Sequence, residues 1–139
     1  MKFWDTSAIV PLLADEGTSE RVRAAAAADP EMVVWWGTEV ECASALARLE
    51  RQAGAAGRGL AALYARLTAM SRGWIEVEPG PEVKSYAVRL LRVHALRSGD
   101  ALQLAAALVA CGHQPATLAF VTLDERLAQA AEREGFALA

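Results

Sequence analysis

Two kinds of hydrophobic pattern alternate along the chain. Short apolar runs predict strands, and longer segments with apolar residues three or four positions apart predict helices. The predicted strands cover residues 2–5, 32–36, 74–77 and 118–122, with a last short strand at 136–138. The predicted helices cover residues 8–13, 19–28, 39–52, 60–70, 82–96, 98–110 and 124–134. Thr6 and Ser7 supply cap chemistry for the first helix, and turns are expected at 15–18 and 53–59.

This alternation predicts one α/β domain over residues 1–139, with a mostly parallel central sheet and helices on both of its faces. Residues 32–36 are all apolar, as expected for a strand that is covered on both faces. Between residues 101 and 110 the only polar side chain is Gln103. That segment is therefore predicted to be a helix buried nearly all round in the middle of the domain.

Composition and charge argue against several classes of protein. The net charge is −3, and non-specific coating of nucleic acid depends on many basic side chains that neutralise phosphates. Of the 14 basic residues only two are lysines, and arginine is the side chain suited to forked phosphate contacts. Cys42 and Cys111 lie in apolar helical patterns, which favours buried free thiols and a cytoplasmic location. We find no signal-peptide segment and no apolar run of about 18 residues, so no membrane role is expected.

Two aspartates follow predicted parallel strands. Asp5 closes the first strand, and Asp124 follows the strand that ends at Thr122. The carboxyl ends of strands form the ligand crevice in open α/β sheets, so both acids are expected at one edge. The alternative interpretation is that each acid caps the helix that follows it. Capping does not explain why polar residues follow both strands, in the similar segments Asp5-Thr6-Ser7 and Thr122-Leu123-Asp124.

Two further acids stand near the starts of predicted helices. Asp100 heads the apolar line that continues at Leu104, so its side chain is expected to point toward the core. That helix has no lysine or arginine, which leaves a metal ion or a distant arginine to compensate the charge. Glu41 begins another apolar line with Ala45, whereas Glu39 is offset from it. For Asp100 the alternative is a helix cap shared with Ser98, and for Glu41 and Glu39 it is a charge that complements the helix dipole.

The four acids and their surroundings resemble those of PIN-domain proteins, particularly the VapC-type toxins of bacterial and archaeal toxin–antitoxin pairs. The resemblance runs nearly end to end. It selects Glu41 over Glu39, because the family's second acid precedes an Ala-Leu pair by four residues. One departure is Glu125, which directly follows Asp124 and could share its duty. The segments that carry the resemblance are Asp5-Thr6-Ser7-Ala8, Glu41 with Ala45-Leu46, Asp100-Ala101-Leu102-Gln103-Leu104-Ala105, and Thr122-Leu123-Asp124 followed by Ala130-Ala131 and Gly135.

The resemblance implies a three-layer α/β/α sandwich and a metal-dependent endoribonuclease that hydrolyses single-stranded or loop RNA. It implies that Asp5, Glu41 and Asp100 coordinate the metal, and that Asp124 contributes directly or through water. Ligands that are all oxygen suit Mg²⁺ or Mn²⁺, which can activate a water and stabilise charge on a phosphodiester. The resemblance also implies supporting roles for residues beside the metal, namely Thr6, Ser7 and Thr122. General-base duty is not assigned to any single acid.

The same resemblance implies partners. VapC-type toxins are typically homodimers that are restrained by a small cognate antitoxin, often through an arginine that reaches the carboxylates. Two alternatives stay open at this point. One is a PIN ribonuclease that acts without an antitoxin. The other is a PIN-like binding or scaffold module, in which all four acids are helix caps.

Other side chains have weaker indications of function. The candidates for phosphate contacts are Arg48, Arg51, Arg58, Arg89, Arg92 and Arg97, with a solvated helix face as the alternative for each. Arg97 is preferred, because it lies three residues before Asp100. Trp35 and Trp36 are interpreted as one core and one interface residue and not as base-stacking platforms. His94 and His113 are not placed beside the acids, and we expect them to be structural or surface residues.

Two other enzyme classes that gather acids at strand ends fit the sequence less well. A receiver-like phosphorylation domain needs a lysine near the pocket after a late strand, and neither Lys2 nor Lys84 lies there. A haloacid-dehalogenase-type phosphatase needs a second aspartate two residues after the first, where this chain has Ser7.

Overall fold

The centre of the molecule is a parallel sheet, seen in a computed structural model that describes residues 1–14, 20–54 and 59–139. Its strands in the described residues are β1 (Lys2–Trp4), β2 (Met32–Trp35), β3 (Ile75–Val77) and β4 (Ala119–Val121). The order across the sheet is β3-β2-β1-β4, and every neighbouring pair is parallel. The predicted parallel sheet is therefore confirmed, with each strand one or two residues shorter than expected.

Helices cover both faces of this sheet. In the described residues they are α1 (Thr6–Ala14), α2 (Glu20–Ala28), α3 (Thr38–Ala53), α4 (Leu60–Ser71), α5 (Pro81–Val93), α6 (Ser98–Ala110) and α7 (Glu125–Arg133). One hydrophobic core joins α1 to α4 with one face of the sheet, and a second joins α5 to α7 with the other. Because successive strand side chains point to opposite faces, Phe3 lies in the second core and Trp4 in the first. The α/β/α sandwich is confirmed.

Helix α6 is buried nearly all round, as its sequence predicts. Its buried residues include four alanines, at positions 101, 105, 106 and 107. These small side chains allow close packing against α5 and β2, which are among the elements that α6 contacts. The first turns of this helix carry Asp100 and Gln103, so its burial fixes where both polar side chains lie.

Tertiary contacts set the ends of two elements that the sequence placed differently. Helix α5 ends at Val93 and not at residue 96, because His94 is extended and its ring contacts Glu134. The segment 136–138 is not a strand, since it forms only an isolated bridge between Leu138 and Phe120. Main-chain hydrogen bonds from the amide of Phe120 and to its carbonyl nevertheless attach this segment to the edge of β4.

The starts of two helices also differ from prediction. Thr6 and Ser7 are the first residues of α1, and the cap is Asp5, whose carboxylate accepts from the Ser7 amide at 3.1 Å. Helix α7 starts at Glu125, with Asp124 as its cap. Helix α2 starts at Glu20, and the predicted Ser19 start lies outside the described residues, as do the turn at 15–18 and most of the turn at 53–59.

The two tryptophans differ in burial, and the structure corrects the interpretation of one cysteine. Trp35 is buried, but Trp36 is 51% exposed because β2 ends before it. Cys42 is a buried free thiol, whereas Cys111 is only partly buried at the end of α6. No helix in the described parts of the chain has the length and apolar character needed to cross a membrane.

Candidate active site

All four of the acids selected from the sequence line one cleft of about 380 Å³. Asp5 follows β1, and Asp124 follows β4, the neighbouring parallel strand. Glu41 lies in the first turn of α3, and Asp100 in the first turn of α6. Positions that are far apart in sequence therefore meet at the carboxyl edge of the sheet, as expected for an open α/β fold.

Asp5 is the most enclosed of these acids and is only 5% exposed. Its Oδ2 accepts hydrogen bonds from Ser7 Oγ at 2.5 Å and from Thr122 Oγ1 at 2.9 Å, in addition to the Ser7 amide. Burial raises the pKa of Asp5 to about 6; hydrogen bonds from Ser7 and Thr122 oppose that rise, and the charge of Glu41 adds to it. The hydroxyls therefore favour the carboxylate in a place where desolvation disfavours it.

The same two hydroxyls join the ends of β1 and β4. Ser7 Oγ accepts from the Leu123 amide at 2.8 Å, and Thr122 Oγ1 accepts from the Asp124 amide at 3.1 Å. Each hydroxyl thus donates to Asp5 and accepts from a main-chain amide of the turn that follows β4. Ser7 and Thr122, two of the three residues suggested as supporting, are brought to Asp5 by this network.

Glu41 is held by the third suggested residue, Thr6, and by Gln103. Its Oε2 accepts from Thr6 Oγ1 at 2.7 Å and from Gln103 Nε2 at 2.9 Å. The Gln103 amide nitrogen also lies 3.0 Å from Thr6 Oγ1 and 3.2 Å from Thr38 Oγ1. The Gln103 side chain thereby links α6 to the starts of α1 and α3.

Sequence reasoning missed Gln103 and Thr38 as members of the site, although both are buried. The sequence marks Gln103 only as the single polar residue of a buried helix. That position is a signal, because a buried amide needs hydrogen-bond partners and Gln103 lies one turn after Asp100. For Thr38 the sequence offered no comparable signal.

Asp124 is the N-cap of α7 and Asp100 is the third-residue member of a capping box at the start of α6, and both also line the cleft. Asp100 Oδ2 accepts from the Arg97 amide at 3.2 Å, and Asp124 Oδ1 accepts from the Leu127 amide at 2.9 Å. Asp100 is only partly buried, so the expectation that it points into the core is wrong in part. Its position at the helix start keeps it at the edge of the apolar line. Capping and a role in the cleft are thus compatible.

Each of the four carboxylates uses only one oxygen for hydrogen bonds to described residues. The second oxygen of each has no such bond, and no described lysine, arginine or histidine forms an ion pair with any of them. Carboxylates around one cleft repel each other, so the arrangement favours an external cation.

The donor set fits a hard divalent cation that keeps part of its water. No group of three acids, histidines or cysteines in the described residues lies close enough to form a protein-only metal site. Mg²⁺ is commonly held by one or two carboxylates together with waters and substrate phosphates, and all-oxygen ligands suit Mg²⁺ and Mn²⁺. The residues therefore fit such an ion when water and substrate complete its coordination.

The other candidates lie elsewhere. Glu39 accepts from Ser71 Oγ at 3.2 Å and is not part of the cleft lining, and Glu125 is exposed and also outside it. Arg48 lines the cleft, whereas the preferred Arg97 is exposed and does not.

The remaining arginines and both histidines are away from the four acids. Arg89 and His94 both bind Glu134, and His113 contacts Glu82. Arg51 and Arg92 are exposed and outside the cleft lining, and Arg58 lies outside the described residues.

Comparison with protein families bears directly on this arrangement. A family model described as PIN domain matches residues 2–133, which include all four acids and every strand of the sheet. The chain belongs to the PIN-domain family. No curated protein matches the chain in a sequence comparison. PIN domains are generally metal-dependent nucleases, which agrees with the acidic cleft of this PIN domain.

We expect the stability of the metal-free PIN domain to fall as pH rises from about 4 to 6. In the unfolded chain Asp5 loses its proton near the ordinary pKa of 3.8, whereas in the folded protein its pKa is about 6, so the proton is kept to higher pH. A raised carboxyl pKa therefore contributes stability at low pH that is lost above the folded pKa, and this difference corresponds to about 3 kcal/mol.

Asp5→Asn keeps an oxygen that can accept from Ser7 and Thr122 but has no such titration. In chelator, the variant should be about 2–3 kcal/mol more stable than the parent at pH 8, with the gain disappearing toward pH 4. Urea unfolding at several pH values measures this, with Glu50→Gln at an exposed position of α3 as the control. A gain that is the same at every pH would contradict the assignment to Asp5.

Gln103→Glu should destabilise the metal-free protein at pH 8 by about 2–4 kcal/mol and should recover much of that loss at pH 5. The new carboxylate would replace the amide nitrogen that lies 2.9 Å from Glu41 Oε2, so the two acids would not both ionise readily. Gln52→Glu at an exposed position of α3 is the matched control, and it should change stability by no more than about 0.5 kcal/mol. Equal losses in the two variants would contradict the Gln103–Glu41 contact.

Proposed function

We propose that this protein is a metal-dependent endoribonuclease that hydrolyses RNA phosphodiester bonds at the cleft lined by Asp5, Glu41, Asp100 and Asp124. One observation carries this function: four carboxylates line the same cleft, and each has one oxygen without a hydrogen bond to any described residue. Membership of the PIN-domain family supports nuclease chemistry in general.

We assign Mg²⁺ or Mn²⁺ to the cleft, with Asp5, Glu41 and Asp100 as ligands and Asp124 as a ligand either directly or through water. When bound, the ion supplies a Lewis acid for the phosphoryl oxygens and lowers the pKa of water. The carboxylates would then be neutralised, which no basic side chain of the described residues does through an ion pair.

The chain's own residues orient these acids in advance. Ser7 and Thr122 fix one oxygen of Asp5, and Thr6 with Gln103 fixes one oxygen of Glu41. Side chains that are locked by hydrogen bonds lose little freedom when substrate binds. Arg48 lines the same cleft and suits a phosphate contact, while Arg97 beside Asp100 stays a second candidate.

Asp5→Asn, Glu41→Gln and Asp100→Asn should each reduce Mg²⁺- or Mn²⁺-dependent cleavage of single-stranded RNA by at least about a hundredfold, because each removes a proposed ligand. The matched controls are Glu39→Gln and Glu125→Gln, which neutralise neighbouring acids outside the cleft lining and should cleave like the parent. The measurement is cleavage of labelled RNA, with circular dichroism to verify folding. Parental cleavage by Asp5→Asn or Asp100→Asn would exclude this site.

We further propose that the protein is the toxin of a type II toxin–antitoxin pair of the VapC type, acting as a homodimer with a small antitoxin. The carboxylates without a basic partner in the described residues support this, since they could accept an arginine from another protein.

Induced expression of the parent should arrest growth, and expression of Asp5→Asn should not. Co-expression of a short reading frame found immediately upstream of the gene should restore growth, and its product should copurify with the parent. Growth that continues normally during parent expression would argue for a PIN ribonuclease that acts without an antitoxin.

A further inference from the structure

We propose that the cavity between His94 and helix α7 is a phosphate-binding subsite for the RNA backbone, separate from the acidic cleft. This inference rests on the proposed function for the identity of the nucleic acid. The cavity has a volume of about 70 Å³ and is lined by His94, Ala95, Arg126, Gln129, Ala130 and Arg133. That is far below the roughly 300–1,000 Å³ of typical small-molecule pockets, so it suits one phosphate group better than a larger ligand.

Helix α7 presents two arginines and an amide to this cavity. Arg126, Gln129 and Arg133 are three and four positions apart, so they lie on one face of the helix. All three are exposed, and neither arginine has an ion-pair partner within 4.0 Å among the described residues. Two unpaired guanidinium groups beside one cavity provide forked donors for phosphate oxygens.

His94 supplies a buried ring nitrogen that has no hydrogen-bond partner among the described residues. Its side chain is 5% exposed, and its Nε2 lies 2.6 Å from Glu134 Oε1. No described residue forms a hydrogen bond with the buried Nδ1. A cationic histidine ring donates from both nitrogens, so Nδ1 could donate to an acceptor while Nε2 contacts Glu134. A phosphate oxygen in the cavity would accept from it.

The acids near this cavity do not cancel its positive charge. Glu134 is already bound by Arg89, at 2.6 and 3.2 Å, and by His94. Glu125 and Glu132 each precede one of the two arginines, so they are turned by about 100° around the helix. The cavity therefore has more basic than acidic groups directed toward it.

The position of the cavity along α7 favours a nucleic-acid phosphate over a carboxylate of a protein partner. Asp124 in the acidic cleft caps this helix, and Gln129 is five residues further on, roughly 8 Å along the helix axis. A phosphodiester that approaches four carboxylates needs basic contacts nearby to position the strand. The subsite would hold a phosphate on the same strand as the bond to be cleaved.

The main test is the double variant Arg126→Gln/Arg133→Gln in the full chain. The matched control is Arg23→Gln/Arg66→Gln, which removes two exposed arginines from α2 and α4 on the opposite layer. Binding of a labelled single-stranded RNA is measured in chelator at several salt concentrations. The subsite variant should bind about tenfold more weakly, and its salt slope should fall by about 0.7 for each lost phosphate contact. The control should bind within about twofold of the parent.

A second measurement does not depend on nuclease activity. Titration of the parent with inorganic phosphate should shift the NMR signals of the His94 ring, and the double variant should lose that shift. Unchanged RNA affinity and salt slope in the double variant would overturn the subsite even if the parent cleaves RNA. Loss of RNA binding in the double variant of a protein that cleaves no RNA would support the subsite and contradict the proposed function. Displacement of phosphate by polyglutamate in a parent that binds no RNA would overturn the RNA assignment in favour of a protein partner.

Discussion

The carboxylate of Asp5 connects the ends of two neighbouring parallel strands, and the cleft is organised around that connection. Ser7 and Thr122 donate to the same carboxylate oxygen, and their own oxygens accept amides from the turn that follows β4. The carboxyl ends of β1 and β4 are therefore joined through side chains as well as through the sheet. Because Asp5 is buried, this network also decides how readily its charge is kept.

A concentration of negative charge is the main consequence of that geometry. Parallel strands deliver their following residues to one edge, and helices that begin at this edge prefer acids in their first turn. The cleft thus combines cap acids and ligand acids in the same residues. Among the described residues each carboxylate is bound through one oxygen, which leaves the other to interact with a cation or substrate. This division explains why local capping and a metal-binding role need not compete.

Two helices of the same layer, α6 and α7, contribute different features to the site. On one side, α6 is buried by small alanines and carries Gln103, whose amide joins Thr6, Thr38 and Glu41. On the same side, α7 continues away from Asp124 with a row of basic and amide side chains. Helix α7 therefore begins at the acidic cleft and continues along the basic cavity. A strand of RNA that follows α7 would meet opposite charges in order, with the chemistry at the capped end.

The sequence by itself determined the alternation of strands and helices, because hydrophobic period is a local property that each segment carries in full. It also predicted that Asp5 and Asp124 lie at the same edge of the sheet, since a parallel sheet brings such positions to one edge, but the structure decided that β1 and β4 are neighbours. Glu41 was chosen over Glu39 through family resemblance, because both acids lie in the same helical turn. Only the tertiary structure decided that Gln103 holds Glu41, that Arg48 and not Arg97 lines the cleft, and that His94 ends α5 by bonding to Glu134. Those facts depend on which faces of distant helices meet. The hydrophobic period of a segment indicates its buried face, but it does not specify which segment packs against that face.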